Sequence, residues 1–151
     1  MNKLTETEKS YIAGLVDGEG CVTVCRRLSK ISGEYKFQIR VIVTNTNEEI
    51  IDWLKKTIGM GFTRKSTWEN YSAKWKPIHR YEVDSHKARE LLAEIIPYLI
   101  IKKELAKMVL EFPTRNGGLE RTIEEYEKQL NEFSKISSLN QRGVIGPAFI
   151  E

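Results

Sequence analysis

The sequence predicts an α+β domain with one antiparallel sheet and the element order αββαββα, followed by additional C-terminal helices. Two observations give this prediction: apolar residues recur at helical spacing near the N-terminus and again mid-chain, and a pair of segments with two-residue alternation follows each helix. The 151 residues are 40% hydrophobic, enough for the core of one domain. We expect a single domain over residues 1–151, with its core at about 5–112, a helical extension at 119–136 and a weakly patterned tail at 137–151.

The first helix has clear start and stop signals. Thr5 or Thr7 can cap its N-terminus, and Gly18 or Gly20 should end it. Between them, apolar side chains recur at the spacing of a helix, at Tyr11, Ile12, Leu15 and Val16.

Two strands are expected next. Residues 21–28 and 34–45 alternate between apolar and polar side chains, and the loop around residues 30–33 joins them. In the second strand, the alternation separates one apolar face from one polar face: Phe37, Ile39, Val41 and Val43 against Lys36, Gln38 and Arg40.

A second helix and a second strand pair follow. Asn47 or Thr46 can cap the helix, which should end near Gly59. Short strands are predicted at residues 61–66 and 79–84.

The remaining segments predict helices. One spans residues 85–96, Pro97 interrupts it, and helical spacing resumes over 98–112. The last helix, at 119–136, carries Glu and Lys at four-residue spacing.

Composition favours a soluble, intracellular protein, in the cytoplasm or in an organelle. Lys and Arg number 24 against 21 for Asp and Glu, and the net charge of +3 weakly favours a polyanionic partner. Cys21 and Cys25 lie four apart in one predicted strand, too far apart for an easy disulfide, which favours reduced thiols. We expect no membrane partner, because no apolar run is long enough to span a bilayer and the N-terminus lacks the apolar region of a signal peptide.

The end of the first helix combines small residues with acids. Ser10, Gly14 and Gly18 recur every four positions, so two such helices could approach closely. Asp17 and Glu19 lie at the C-terminal end of the helix, where the helix dipole already places partial negative charge. A divalent cation is one way to compensate the charge of the two carboxylates. If two copies packed face to face, each could contribute a carboxylate to two-metal phosphodiester chemistry. The alternative on spacing alone is an amphipathic helix with a glycine C-cap and two solvated acids.

Residues 12–20 resemble the signature of the LAGLIDADG homing endonucleases, reading IAGLVDGEG. The resemblance covers most of residues 9–112, through the segments VTV, VTNTNEEIIDWL, IGMGF and IIPYLIIKKELAKMVLEF. It implies the family's αββαββα fold with a saddle-shaped, DNA-binding sheet. It also implies a site-specific DNA endonuclease that uses Mg²⁺, with Mn²⁺ as a substitute, and that promotes the mobility of its host intron by a double-strand break.

Because the chain has one copy of the motif, the resemblance implies a homodimer with a long, near-palindromic DNA target. Ser10 and Gly14 would then lie at the dimer interface. Asp17 is expected there as a structural residue that caps the partner helix.

The resemblance also assigns site residues. Glu19 corresponds to the metal-binding acid, and Gly18 would offer its carbonyl to the metal. Asn45 corresponds to a polar residue that positions the attacking water, although an Asn that only ends a strand explains it nearly as well. Lys102 corresponds to the basic residue near the scissile phosphate, with Lys103 as the alternative.

The sheet face opposite the core should read double-stranded DNA, because a ribbon of strands can present alternate side chains to bases in the major groove. A solvated sheet face is the alternative for any single residue of this set. The loop at 28–35 and the stretch at 68–75 are expected to add contacts, whereas His79 and His86 are expected to be structural. The predicted DNA-binding residues are Thr23, Cys25, Arg27, Lys36, Gln38, Arg40, Arg64, Ser66, Arg80 and Glu82.

Two other functions remain open at this point. One is an RNA maturase that binds intron RNA and assists splicing. The other is a catalytically silent DNA-binding regulator, which the joint presence of Glu19, Asn45 and Lys102 disfavours.

Overall fold

The computed structural model describes residues 1–66, 76–114 and 121–140, and its centre is a four-stranded antiparallel sheet. The strand order is β1-β2-β4-β3, and the helices cover one face of the sheet. The element order confirms the predicted α+β class and the αββαββα arrangement. The elements are α1 (Glu6–Glu19), β1 (Gly20–Leu28), β2 (Tyr35–Asn45), α2 (Glu48–Ile58), β3 (Phe62–Ser66), β4 (Ile78–Asp84), α3 (Ser85–Ile95), a 3₁₀ turn (Ile96–Tyr98), α4 (Lys103–Leu110) and α5 (Ile123–Asn140).

Capping residues set the start of α1 and α2. Thr5 and Glu8 form a reciprocal capping box, in which the Glu8 N–H donates to Thr5 Oγ1 at 3.2 Å and the Thr5 N–H donates to Glu8 Oε2 at 2.8 Å. Asn47 caps α2 by accepting from the Glu49 N–H at 2.9 Å. The structure therefore selects Thr5 and Asn47 from the predicted alternatives.

Glycines set the ends of the same two helices. Gly20 closes α1 and starts β1, and a Cβ there would lie 2.7 Å from the Val16 carbonyl oxygen, so no larger residue fits without movement. Gly59 ends α2 with φ of 75°, in the left-handed region that glycine adopts at low cost.

The core lies between the sheet and the helices. Alternate residues of the strands are buried on this side, as the two-residue period predicts, and α1, α2 and α3 supply the facing layer. Fully buried side chains from the sheet include Val22, Ile39, Val41, Val43, Tyr81 and Val83. The opposite face of the sheet is left for polar side chains.

Two helix predictions need correction. Helical spacing over residues 98–112 predicts one segment, but α4 begins only at Lys103, since Leu99 is extended after the turn that contains Pro97. The last helix continues to Asn140 instead of ending near residue 136, and the Asn140 amide donates to the Val22 carbonyl at 3.1 Å. The tail from residue 141 onward, and the predicted start of the last helix at 119, lie outside the described residues.

In the part of the chain that the structure describes, no helix has the length and apolarity needed to cross a membrane.

Candidate nucleic-acid interface and metal centre

Strand register places the predicted DNA-binding residues on one face of the sheet. Directly opposite residues of an antiparallel pair point to the same side. The pairs Thr23 with Arg40, Cys25 with Gln38, Arg27 with Lys36, and Arg64 with Arg80 are directly opposite. Ser66 and Glu82 lie two positions along the same strands from Arg64 and Arg80 and share this side. The face is polar and rich in arginine.

One residue of this set is buried beneath the surface it was expected to form. Glu82 is 2% exposed and lies between two arginines, with Oε1 3.2 Å from Arg40 Nη1 and Oε2 2.9 Å from Arg80 Nη2. The prediction that Glu82 itself contacts DNA is therefore corrected: both of its oxygens are occupied by the neighbouring guanidinium groups.

Gln38 extends the same set of contacts toward α3. Its Oε1 accepts from Arg40 Nε and Nη2 at 3.2 and 2.9 Å, and its amide donates to Asp84 Oδ2 at 3.0 Å and to Ser85 Oγ at 3.3 Å. Asp84 was not predicted as a site residue. The alternation that places Arg80 and Glu82 on this face also places Asp84 there, so the signal was present in the sequence.

The two cysteines lie along one edge of this face. Both are free thiols and half-buried. Burial raises the pKa of the Cys21 thiol and of the Cys25 thiol, so both are neutral at physiological pH. Cys25 can offer DNA a weakly polar, uncharged contact.

Two of the three predicted catalytic residues, Glu19 and Lys102, lie at the C-terminal end of α1, and the third, Asn45, lies at the neighbouring end of β2. Glu19 is the last residue of the helix and is exposed, and its side chain has no hydrogen bond or ion pair with another described residue. Gly20 pairs with Val43, which brings the end of β2, with Asn45, alongside the end of α1. Asn45 Oδ1 accepts from the Asn47 N–H at 2.8 Å, which is the local turn expected of an Asn that ends a strand.

Lys102 supplies a cation to the same helix end. It is 7% exposed, and its Nζ donates to the carbonyl of Val16 at 2.9 Å and to the carbonyl of Asp17. A cation here stabilises the negative end of the helix dipole. The alternative candidate, Lys103, directs its Nζ to the Pro97 carbonyl at 3.5 Å instead. Of the two lysines, the structure brings Lys102 to the end of α1.

Asp17 forms hydrogen bonds with the segment before α4 of its own chain. Its carboxylate accepts the backbone N–H groups of Ile100 at 2.7 Å, Ile101 at 3.2 Å and Lys102 at 2.9 Å. Burial raises the pKa of Asp17, but these three hydrogen bonds and the Lys102 charge outweigh it and hold the pKa below its ordinary value. Asp17 thus fixes the segment before α4 within its own chain, and its expected role as a cap of the partner helix stays a prediction.

The small-residue face of α1 is open in the single chain. Ser10, Gly14 and Gly18 are exposed, and a Cβ added to Gly14 or to Gly18 would meet nothing within 4 Å. Nothing in the described part of the isolated chain therefore requires glycine at these positions. Large apolar side chains are exposed near this helix, with Tyr11 50%, Ile100 87% and Ile101 71% exposed. The two isoleucines are not among the residues predicted from the sequence to lie at a dimer interface.

The oxygen donors at the end of α1 fit a metal site that the single chain does not complete. Within residues 1–66, 76–114 and 121–140, no group of three or more His, Cys, Asp and Glu side chains could hold a metal ion. Mg²⁺ in proteins commonly uses one or two carboxylates and completes its shell with waters and phosphate oxygens. Glu19 and the carbonyl of Gly18 suit that chemistry if further ligands come from outside the chain.

The other predicted residues are placed as follows. His79 is buried, with Nδ1 3.6 Å from Glu48 Oε1, whereas His86 is exposed. The loop at 28–35 is described, but the stretch at 68–75, expected to add DNA contacts, lies outside the described residues.

Comparison with solved structures identifies the class of fold: this chain has the fold of homing endonucleases. This confirms the fold implied by the resemblance to the LAGLIDADG family. A scan against protein-family models and a search of curated protein sequences gave no match.

Three solved structures illustrate the similarity. The homing endonuclease I-CvuI, in complex with a DNA target in the presence of Mg, is 19% identical with a TM-score of 0.69, over 91% of this chain and 85% of that one. The archaeal intron-encoded homing endonuclease I-Vdi141I, complexed with DNA, is 16% identical with a TM-score of 0.71, over 92% and 87% of the two chains. The meganuclease I-SmaMI bound to DNA is 18% identical with a TM-score of 0.62, and the match covers 90% of this chain but 45% of I-SmaMI.

Proposed function

We propose that this chain is a site-specific, Mg²⁺-dependent DNA endonuclease that acts as a homodimer. It makes a double-strand break in a long, near-palindromic target and thereby promotes the mobility of its host intron. The observation that carries the proposal is the position of Glu19 and Lys102 at the C-terminal end of α1, beside the end of β2 that bears Asn45. The similarity to homing endonucleases solved with DNA supports it.

The sheet face is the DNA-binding surface in this proposal. Its strands are suited to the major groove, where arginine pairs with guanine. Arg40 suits base contacts because Gln38 and Glu82 hold it in a fixed position, whereas the amide N–H groups of Gln38 are already donated to Asp84 and Ser85. Exposed cations on the same face, such as Arg27 and Lys36, suit phosphate contacts.

The open face of α1 supports the proposed homodimer. Packing of two copies across Ser10 and Gly14 would bring the two helix ends together and place two sheet faces side by side on one duplex. Ile100 and Ile101 would be covered in the same contact, which accounts for two large apolar side chains exposed beside α1. The pair of Glu19 side chains would then face the two strands of the target.

The residues at the end of α1 have distinct tasks in the reaction. Glu19 and the Gly18 carbonyl would hold Mg²⁺, which when bound neutralises phosphate charge and activates water. Lys102 places a fixed positive charge at the helix end, where it stabilises negative charge on the phosphate oxygens. Asn45 offers an amide N–H₂ group to orient the attacking water, while its carbonyl oxygen keeps the turn to Asn47.

Selection of cut sites from randomised DNA tests the proposal. The full chain is incubated with a plasmid library carrying a randomised insert, in Mg²⁺ and in Ca²⁺, and linear products are sequenced. We expect cutting in Mg²⁺ only, at a recurring near-palindromic sequence. Sequence-selective binding without cutting would instead support a silent regulator, and preference for intron RNA over duplex DNA would support a maturase.

A further inference from the structure

An acidic side chain is buried at the centre of the arginine-rich sheet face. Glu82 is 2% exposed, while the side chains of its partners Arg40 and Arg80 are 32% and 36% exposed. The carboxylate therefore lies beneath the two guanidinium groups, and the arginines present part of their surface to solvent. We name Gln38, Arg40, Arg80, Glu82 and Asp84 the Glu82 network.

The network fixes Arg40 from two sides. Gln38 Oε1 accepts two of the five guanidinium N–H groups of Arg40, from Nε and Nη2, and Glu82 Oε1 forms an ion pair with Nη1 at 3.2 Å. Gln38 is held in turn, because its amide donates to Asp84 at 3.0 Å. The N–H groups of Arg40 that Gln38 does not accept lie on Nη1 and Nη2, and they can donate to an external acceptor such as a base edge.

The position of Glu82 also bears on Arg80. Arg80 lies directly opposite Arg64 across β3 and β4, and like charges in that relation repel. The Arg64 guanidinium lies over the Phe62 ring, 4.9 Å from its centroid, whereas Arg80 is drawn to Glu82. The two arginines thus have different partners: the Arg64 guanidinium packs on the Phe62 ring, and the Arg80 guanidinium pairs with the Glu82 carboxylate.

We propose that Glu82 is a positioning residue that determines sequence specificity: it holds Arg40 and Arg80 in orientations suited to base edges and lowers the attraction of the face for phosphates of any sequence. The inference rests on the proposed function in so far as the face binds duplex DNA. A carboxylate on such a surface lowers affinity for phosphate, so an acid here favours discrimination between sites over strength of binding.

Two substitutions separate charge from positioning. Glu82→Gln removes the charge and keeps the size of the side chain, whereas Glu82→Asp keeps the charge but is too short to span both arginines. Glu111→Gln is the matched control, because it makes the same change in net charge at an exposed position at the end of α4, away from the sheet face.

The measurements are affinity for a mixed-sequence duplex across a salt series and sequence preference in a randomised duplex library. For Glu82→Gln, we expect tighter binding of the mixed duplex and a salt slope steeper by about 0.9 for each additional phosphate that the face neutralises, so that the gain in affinity over the wild type grows about threefold per phosphate as salt falls from about 200 to about 50 mM. Preference at the arginine-read positions should fall by about tenfold. Glu82→Asp should lose preference with little rise in non-specific affinity, and Glu111→Gln should match the wild type.

The outcomes distinguish this inference from the proposed function. If the wild type binds the mixed duplex and selects a sequence, but Glu82→Gln and Glu82→Asp select it equally well, Glu82 does not position the arginines. If both variants remain folded by circular dichroism and only their unfolding midpoint falls, the role of Glu82 is structural alone. If the wild type itself neither binds duplex DNA nor selects a sequence, the proposed function fails first.

Discussion

Substitution of Gly14 by Leu tests the proposed dimer face most cleanly, because the single chain has room for the larger side chain. A Cβ at Gly14 meets nothing within 4 Å, and the residue is exposed in the middle of α1. Glycine inside a helix is less favourable than leucine by roughly 0.7 kcal/mol, so the substitution should stabilise the isolated subunit slightly.

The same substitution should break the dimer. In a symmetric contact, two Leu side chains would enter one helix interface, and overpacking costs about 1–3 kcal/mol for each. A total of about 2 kcal/mol, the lower bound, raises the dissociation constant about 30-fold. The stabilised subunit and the weakened dimer are opposite effects of one change, which ordinary loss of folding cannot produce.

Sedimentation equilibrium of the full chain measures the dissociation constant, and urea unfolding at concentrations where the wild type also dissociates measures subunit stability. Ala93→Leu is the control, because it adds the same side chain at an exposed position on α3. A Gly14→Leu chain that remains dimeric with an unchanged dissociation constant would refute the proposed face. A variant that unfolds would contradict the open space around Gly14.

Three further predictions concern the sheet and the end of α1. Arg40→Ala should cost about 1–3 kcal/mol at one base position of each half-site, measured by binding to single-base variants of a selected site, and a uniform loss would place Arg40 on phosphate. Lys102→Met should lower the free energy of unfolding in urea by about 2–3 kcal/mol, because two helix carbonyls lose a charged donor, whereas an equal effect of Lys103→Met would contradict this assignment. Since the pKa of Asp17 is lowered in the folded chain, its stabilisation is present above its unfolded pKa and is lost as the pH falls through the folded value. Asp17→Asn should therefore flatten the acid limb of the unfolding profile, and an unchanged acid limb would show that Asp17 does not contribute to it.

Much of the fold follows from local signals in the sequence. The capping box at Thr5 and the left-handed Gly59 involve neighbours within a few residues, so the helix limits they set could be predicted. The face assignment of Arg40 and Arg80 follows from the two-residue period of strands, which requires no knowledge of the partner strand.

Features that depend on distant residues could not be predicted. Asp17 accepts hydrogen bonds from residues 83 to 85 positions away, and these bonds fix the backbone just before α4, where the sequence predicts uninterrupted helix. The burial of Glu82 depends on Arg40 arriving from β2 through the sheet register. The two-residue period of a strand shows on which face of the sheet a side chain lies. It does not show whether a side chain from a neighbouring strand covers it.

Cleavage by Glu19→Gln, compared with its DNA binding, tests the central claim most directly. The claim is that Glu19 supports metal-dependent cutting while the sheet holds the DNA. The variant keeps the size of the side chain and removes the charge that holds the metal. On a site recovered by selection, we expect cutting in Mg²⁺ to fall at least about 100-fold, with binding in Ca²⁺ unchanged or tighter because a carboxylate near phosphate is gone. Undiminished cutting by Glu19→Gln, with Glu111→Gln and the wild type cutting at the same rate, would contradict the account.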